Sequence, residues 1–272
     1  MKNLFRVTMR VFHFTPLLAL AAAPAVHAAD NQSCSDETVT AVASWAGIAS
    51  ARLATRDTNR LVVASACKAM PNAPETTIAA VAFDSLPKSK NPDESSKLQV
   101  VALVEGGKVV AAERSVVEED AATEIGASSY RIDTAPYRLS PDVRAFGVVF
   151  TSSARGPTCP DANTSDELTL WVREGNRLRA VFGTNLAGWV NTDDKHAVCS
   201  PGIADNAIVS ATMTIGVEKT SSHGFADLSI TARVDPPQRK DKRPVRTIVR
   251  YDGKSYGIDM FRNFWYPPSV AK

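Results

Sequence analysis

From residue 60 onward the apolar positions fall in short runs and strict alternations, the pattern of strands. Runs at 61–64 and 78–83 are followed by a polar stretch at 87–96 that reads as a solvated connection. A hairpin follows: 98–104, a turn through Glu105, Gly106, Gly107 and Lys108, then 109–117. Glycine supplies the positive φ that such a tight turn needs. Strands are expected at 130–133 and 143–150, separated by Pro136 and Pro141. A second hairpin pairs 168–173 with 177–182 around Glu174, Gly175 and Asn176. Its alternation sets Leu168, Leu170 and Val172 on one face and Trp171 and Arg173 on the other. Strands at 208–217 and 225–234 are joined by Ser221, Ser222, His223 and Gly224. A third hairpin runs from 245–251 through Asp252, Gly253 and Lys254 to Tyr256 and Ile258. Before residue 60, Val39, Val42 and Trp45 recur at helical spacing behind Asp36, which predicts a short capped helix. The expected fold is mainly β: antiparallel hairpins forming a sandwich-like or two-sheet domain with a short N-terminal helix.

The N-terminus has a different character. Lys2, Arg6 and Arg10 precede an apolar stretch at 11–26 that closes on Val26, His27 and Ala28. That order is a secretory signal with a small-x-Ala cleavage site. The stretch is shorter than the roughly 20 residues of a membrane span and carries Pro16 and Pro24. Cys34 lacks the small apolar residues that precede a lipidated cysteine, and no twin arginine is present. The expected organisation is a signal peptide at 1–28 and one β-rich domain at 29–272, with 151–165 as the place for any subdivision.

The signal also changes the charge. The whole chain has 31 Lys and Arg against 29 Asp and Glu, but residues 29–272 carry 28 against 29. That balance offers no electrostatic case for nucleic acid. Cys34, Cys67, Cys159 and Cys199 all lie beyond the signal, and an even count in an exported chain predicts two disulfides. Of three connectivities, local pairing of Cys34 with Cys67 and Cys159 with Cys199 is expected, each stabilising by roughly 3–4 kcal/mol. A four-cysteine zinc site would need Cys-x-x-Cys pairs, which are absent.

Candidate chemistry is sparse. Beyond the signal the histidines are His196 and His223. His223 lies beside Ser221 and Ser222, but no Gly-x-Ser-x-Gly elbow is present, and a hydrated turn is the expectation. His196 has Asp193 and Asp194 near it but no second histidine at ligand spacing. Asp227 follows Gly224 in a pattern reminiscent of calcium loops. The preceding residues carry no carboxylate, so a structural role at the turn is expected, accepting N–H groups. Gly175, Gly224 and Gly253 are the other structural turn residues. The acidic positions Glu118, Glu119 and Asp120 are neighbours in sequence, not the facing pair a glycosidase needs. The basic positions Arg239, Lys240, Lys242 and Arg243 read as an exposed connection able to touch anionic envelope polymers. Phe264, Trp265 and Tyr266 read as core capping or a partner patch.

Several phrases are distinctive: Ala64-Ser65-Ala66-Cys67-Lys68, Ile132-Asp133-Thr134-Ala135-Pro136-Tyr137, Val143-Arg144-Ala145-Phe146-Gly147, and Val172-Arg173-Glu174-Gly175-Asn176-Arg177-Leu178-Arg179. With them stand Gly224-Phe225-Ala226-Asp227-Leu228 and Tyr251-Asp252-Gly253-Lys254-Ser255-Tyr256. In these phrases the chain resembles a family of uncharacterised exported (periplasmic) proteins of Gram-negative bacteria. The resemblance implies export and a β-rich fold and carries no activity.

The expected function is a non-catalytic periplasmic or secreted binding module acting on an envelope protein or polymer, with no cofactor, no metal and no membrane span after cleavage. The alternative is an envelope hydrolase with an unrecognised site. The N-terminal pattern makes a direct prediction: intact-mass measurement on periplasmic extract finds a chain beginning at Ala29. A full-length chain in the cytosol would contradict it.

Overall fold

The computed structural model describes residues 32–49, 53, 61–85, 95–203, 207–235 and 244–257. The signal region, the basic positions 239–243, Ile258 and the aromatics at 264–266 lie outside these residues. The fold is mainly β, with one short helix. Helix α1 (Asp36–Trp45) is capped by Ser35, one position before Asp36. Ser35 keeps extended dihedrals and its hydroxyl accepts the Thr38 N–H, while Asp36 and Glu37 sit in the first turn, where acids favour the helix dipole. The helix buries Thr38, Val42 and Ala43 and leaves Trp45 exposed.

Eleven strands follow: β1 (Val62–Met70), β2 (Ala73–Phe83), β3 (Ser95–Glu105), β4 (Lys108–Glu119), β5 (Tyr130–Asp133), β6 (Phe146–Phe150), β7 (Ala162–Glu174), β8 (Arg177–Asn191), β9 (Ile208–Ser222), β10 (Phe225–Asp235) and β11 (Val245–Val249). The expected connection at 87–96 is shorter than anticipated at its far end, because Ser95 and Ser96 already pair with Glu119 and Glu118. The third hairpin shrinks to a single bridge between Tyr251 and Tyr256. All strands join one sheet in the order β1-β2-β3-β4-β8-β7-β6-β5, with β9, β10 and β11 added in turn from β8. Every pairing is antiparallel except β4 with β8, which meet at Ala112 and Arg177.

The sheet folds over itself into a sandwich-like body with three apolar cores. The first lies between β6–β8 and β9–β11 and holds Leu168, Leu170, Val172, Met213, Leu228 and Ile230. The second collects small residues of β1 and β2 (Ala64, Ala66, Ala80, Ala82) against Ile132, Phe146, Trp171 and Leu178. The third packs Val42 and Ala43 of α1 on Val81, Phe83, Val100 and Ala102. The middle of β7 is therefore buried on both sides: the expected division of Leu168, Leu170 and Val172 from Trp171 holds, and each set enters a different core.

The two ends of the strand order, β1 and β5, come back together at Gln32. Its side-chain amide accepts the Ile132 N–H at 2.6 Å and donates to the Ile132 carbonyl at 3.0 Å. Those are the two bonds a neighbouring strand would supply. Its backbone carbonyl accepts the Cys67 N–H at 2.7 Å. The disulfide Cys34–Cys67 fastens the same segment to β1, and a second disulfide joins Cys159 to Cys199. Among the described residues no helix is long and apolar enough to cross a membrane. The seam sets a test: Gln32→Ala should destabilise the fold by about 1–3 kcal/mol, the cost of leaving partly buried backbone groups unpaired. Urea unfolding measures this, and hydrogen exchange should accelerate first at Ile132.

Candidate functional site

A polar cluster forms where the turns at His223–Gly224 and Asp252–Lys254 meet the β7–β8 hairpin. The turn between β9 and β10 has positive φ at both His223 (50°) and Gly224 (90°). Two successive positive φ values define the tight turn whose twist matches its strands. His223 accepts this strain and uses its ring: Nδ1 lies 3.0 Å from the Tyr251 carbonyl. A carbonyl only accepts, so Nδ1 carries the proton. The ring also lies against the turn at Gly253, 4.0 Å from where a Cβ there would stand. In that turn Asp252 accepts the N–H groups of Lys254 and Ser255 at 2.7 and 2.8 Å, and they hold its carboxyl below the usual range.

The hairpin of β7 and β8 reaches the same place through Arg179. Its guanidinium donates to Glu174, to the Tyr251 hydroxyl at 3.1 Å and to the Lys254 carbonyl. Glu174 is held below its ordinary range, first by the Arg179 hydrogen bond. Behind these groups lie stacked rings: Phe225 and Tyr251 at 4.6 Å, Tyr251 and Tyr256 at 5.2 Å, Phe182 and Tyr256 edge-on at 6.1 Å. Tyr256 is fully buried; its N–H donates to Val181 and its hydroxyl to the Ala226 carbonyl at 2.6 Å. Burial pushes the Tyr256 hydroxyl well above its usual range, and the Asp227 charge adds to the effect. The Val181 carbonyl is available because β8 bulges there: Leu170 faces Phe182 and Trp171 faces Ala180, so Val181 is the extra residue.

Asp227 sits opposite an irregularity. Ala226 pairs with Ser221 and Leu228 with Val217, so Asp227 alone faces Glu218, Lys219 and Thr220. Its residue surface is 4% exposed. Oδ2 accepts the Thr220 hydroxyl at 2.7 Å, a side-chain partner and not the turn N–H groups of the sequence reading. Thr220 and then Ser222 hold the carboxyl below its usual range, while Oδ1 is buried with no hydrogen-bond partner among the described residues. The turns at Gly224 and Gly253 thus meet at the His223 ring, and Arg179 ties the β7–β8 hairpin to the second of them. Turn glycines are visible in the sequence, whereas nothing local marks Thr220 or Arg179 as part of this joint.

His196 lies elsewhere, in the loop closed by Cys159–Cys199. Its Nδ1 stands 2.9 Å from Asp193 Oδ2, and its N–H also reaches Asp193. Among the described residues no three His, Cys, Asp or Glu side chains gather in a metal-holding group. The acidic run separates: Glu118 and Glu119 close β4 against β3, and Asp120 accepts the N–H groups of Ala122 and Thr123. Asp166 accepts the Thr151 hydroxyl at 2.6 Å.

The geometry at Asp227 makes a prediction. Asp227→Ala should destabilise by about 1–2 kcal/mol, the size of a lost charge-assisted hydrogen bond. The fold holds this carboxyl below its usual range, so its contribution is whole above the unfolded value of about 4 and fades as pH falls through the lower folded value. Asp227→Asn should flatten the acid limb of stability below about pH 4. Thermal melts across pH, with and without calcium, check both; a calcium-dependent gain in wild type that the variant lacks would make Asp227 a metal ligand.

No family model matches this chain, and neither a curated protein nor a solved structure matches it.

Proposed function

We propose that this chain is a non-catalytic binding module of the periplasm or the cell exterior, acting on a protein or polymer of the envelope. The two disulfides support an oxidising compartment. One observation carries the non-catalytic part. Each carboxyl whose affinity for protons is displaced, at Asp120, Glu174, Glu218, Asp227 and Asp252, is displaced downward. Each displaced tyrosine, at 130, 137 and 256, is displaced upward, chiefly by burial. A general acid or base is tuned toward the working pH. Here the shifts run the other way: hydrogen bonds within the scaffold lower the carboxyls, and burial chiefly raises the tyrosines. These displaced groups are thus committed to the scaffold.

The His196–Asp193 pair favours the hydrolase reading, because a carboxylate that orients an imidazole is half of a catalytic arrangement. One experiment separates the two. The purified 29–272 chain should bind saturably to an isolated envelope fraction (peptidoglycan, lipopolysaccharide vesicles or extracted outer-membrane protein), and His196→Ala should retain that binding. Soluble product released by wild type and abolished in His196→Ala would establish the hydrolase. Failure to bind any fraction would overturn the binding reading.

A further inference from the structure

We propose that the outer edge of β11 receives an extended acidic polypeptide as an added strand, a statement that rests on the binding reading above and names the partner's chemistry. Strand β11 pairs with β10 from Leu228–Val249 to Ala232–Val245. Its other edge pairs with no strand among the described residues. An unpaired edge offers a row of backbone N–H and C=O groups to an incoming chain.

Side chains along the edge specify what that chain carries. Arg246, Ile248 and Arg250 stand at alternate positions and are all exposed, whereas Val249 between them is buried. Ile248 is 40% exposed, one of three large apolar side chains left so open among the described residues. In a sheet, residues opposite each other pair by type: apolar with apolar, acid with base. The complementary strand therefore presents acid, apolar and acid at alternate positions. Arg246 already donates to Glu218, which fixes the guanidinium and leaves its side chain 57% exposed.

The charge distribution agrees. Arg246 and Arg250 flank Ile248, and no acid stands between them along the chain. Such a field attracts anionic partners and fades with salt. It also opposes a second copy of this chain. Antiparallel self-pairing centred on Ile248 would set Arg246 opposite the Arg250 of its mate, two cations face to face. A sulfated or phosphorylated polymer satisfies the charge but not the backbone edge or Ile248, so the polypeptide is the better fit.

The test uses a fluorescein-labelled eight-residue peptide with Glu, Val and Glu at alternate positions, measured by anisotropy against the 29–272 chain. Three comparisons define the outcome: the same peptide with Lys for Glu, the same peptide N-methylated at alternate backbone nitrogens, and dextran sulfate as competitor. The acidic peptide should bind, weaken as salt rises, and lose at least about tenfold in affinity on N-methylation or on Lys replacement. Ile248→Glu, on the protein's surface and monitored for an unchanged melt, should weaken it by a similar factor. Equal binding of the N-methylated peptide, full displacement by dextran sulfate with no effect of N-methylation, or undiminished binding by Ile248→Glu would each overturn the proposal. The binding reading fails separately, when wild type binds no envelope fraction; if Ile248→Glu keeps all envelope binding, the edge proposal fails and the wider reading stands.

Discussion

Backbone pairing between β7 and β8 extends from Ala162–Val190 to Glu174–Arg177 through a region with apolar contacts on both faces. A strand buried on both faces cannot send an unpaired N–H or C=O to water, so its ladder has to be complete or its exceptions answered by side chains. Leu168, Leu170 and Val172 fill one core and Trp171 the other. Everything else is arranged around this hairpin: β5 and β6 extend it on one side, β4 and β9 meet β8 on the other, and the layers fold back to cover both faces. Where the ladder slips at Val181, the Tyr256 N–H takes the carbonyl. The indole N–H of Trp171, packed in the second core, has no hydrogen-bond partner among the described residues.

The same requirement explains the seam and the convergence of turns. Folding the sheet over brings the edges of β1 and β5 together without a shared ladder, and an amide side chain is the side-chain group that carries both a donor and an acceptor in peptide geometry. Gln32 fills that role at Ile132. The distinctive sequence phrases behave alike. Arg144 donates to the Thr134 carbonyl and the Ala145 N–H to Tyr137; Tyr137 in turn donates to Asp133 at 2.7 Å. Gly147 is held to glycine by Leu168 and Asp133, whose atoms would stand 2.6 and 3.0 Å from a Cβ. Arg179, Tyr251, Tyr256, His223 and Asp227 form the other joint. The phrases mark places where separate strands are fastened together.

Features that depend on local pattern were legible in the sequence. Period-two alternation and turn glycines located most strands, and the even cysteine count with local spacing anticipated both disulfides. Features set by tertiary contact were not. Gln32 is one polar residue among Asn31, Gln32 and Ser33, and nothing local distinguishes it. Asp227 reads as a turn acceptor because the pattern does not reveal that β9 carries extra residues opposite it, which brings the Thr220 hydroxyl within reach. Ser35 and Asp36 are both good caps, and one extended φ/ψ pair decides between them. The burial of Trp171 was hidden because Thr169 and Arg173 alternate with it and give that side of β7 a polar signature.

Function follows from what the scaffold leaves over. The polar groups at the three-turn joint are bonded to one another, so substituting them trades stability before it trades binding. Edges are different: the outer edge of β11 pairs with no strand among the described residues, so its backbone groups remain available there. Natural edges are commonly protected by charge, and β11 carries exposed arginines at 246 and 250. The protection is selective. Cations repel a second basic edge and attract an acidic one, while Ile248 between them adds an apolar contact that a purely protective edge would not need. On the proposed reading of this edge, the two cations that disfavour pairing with a second copy are the same groups that would select a partner of opposite charge.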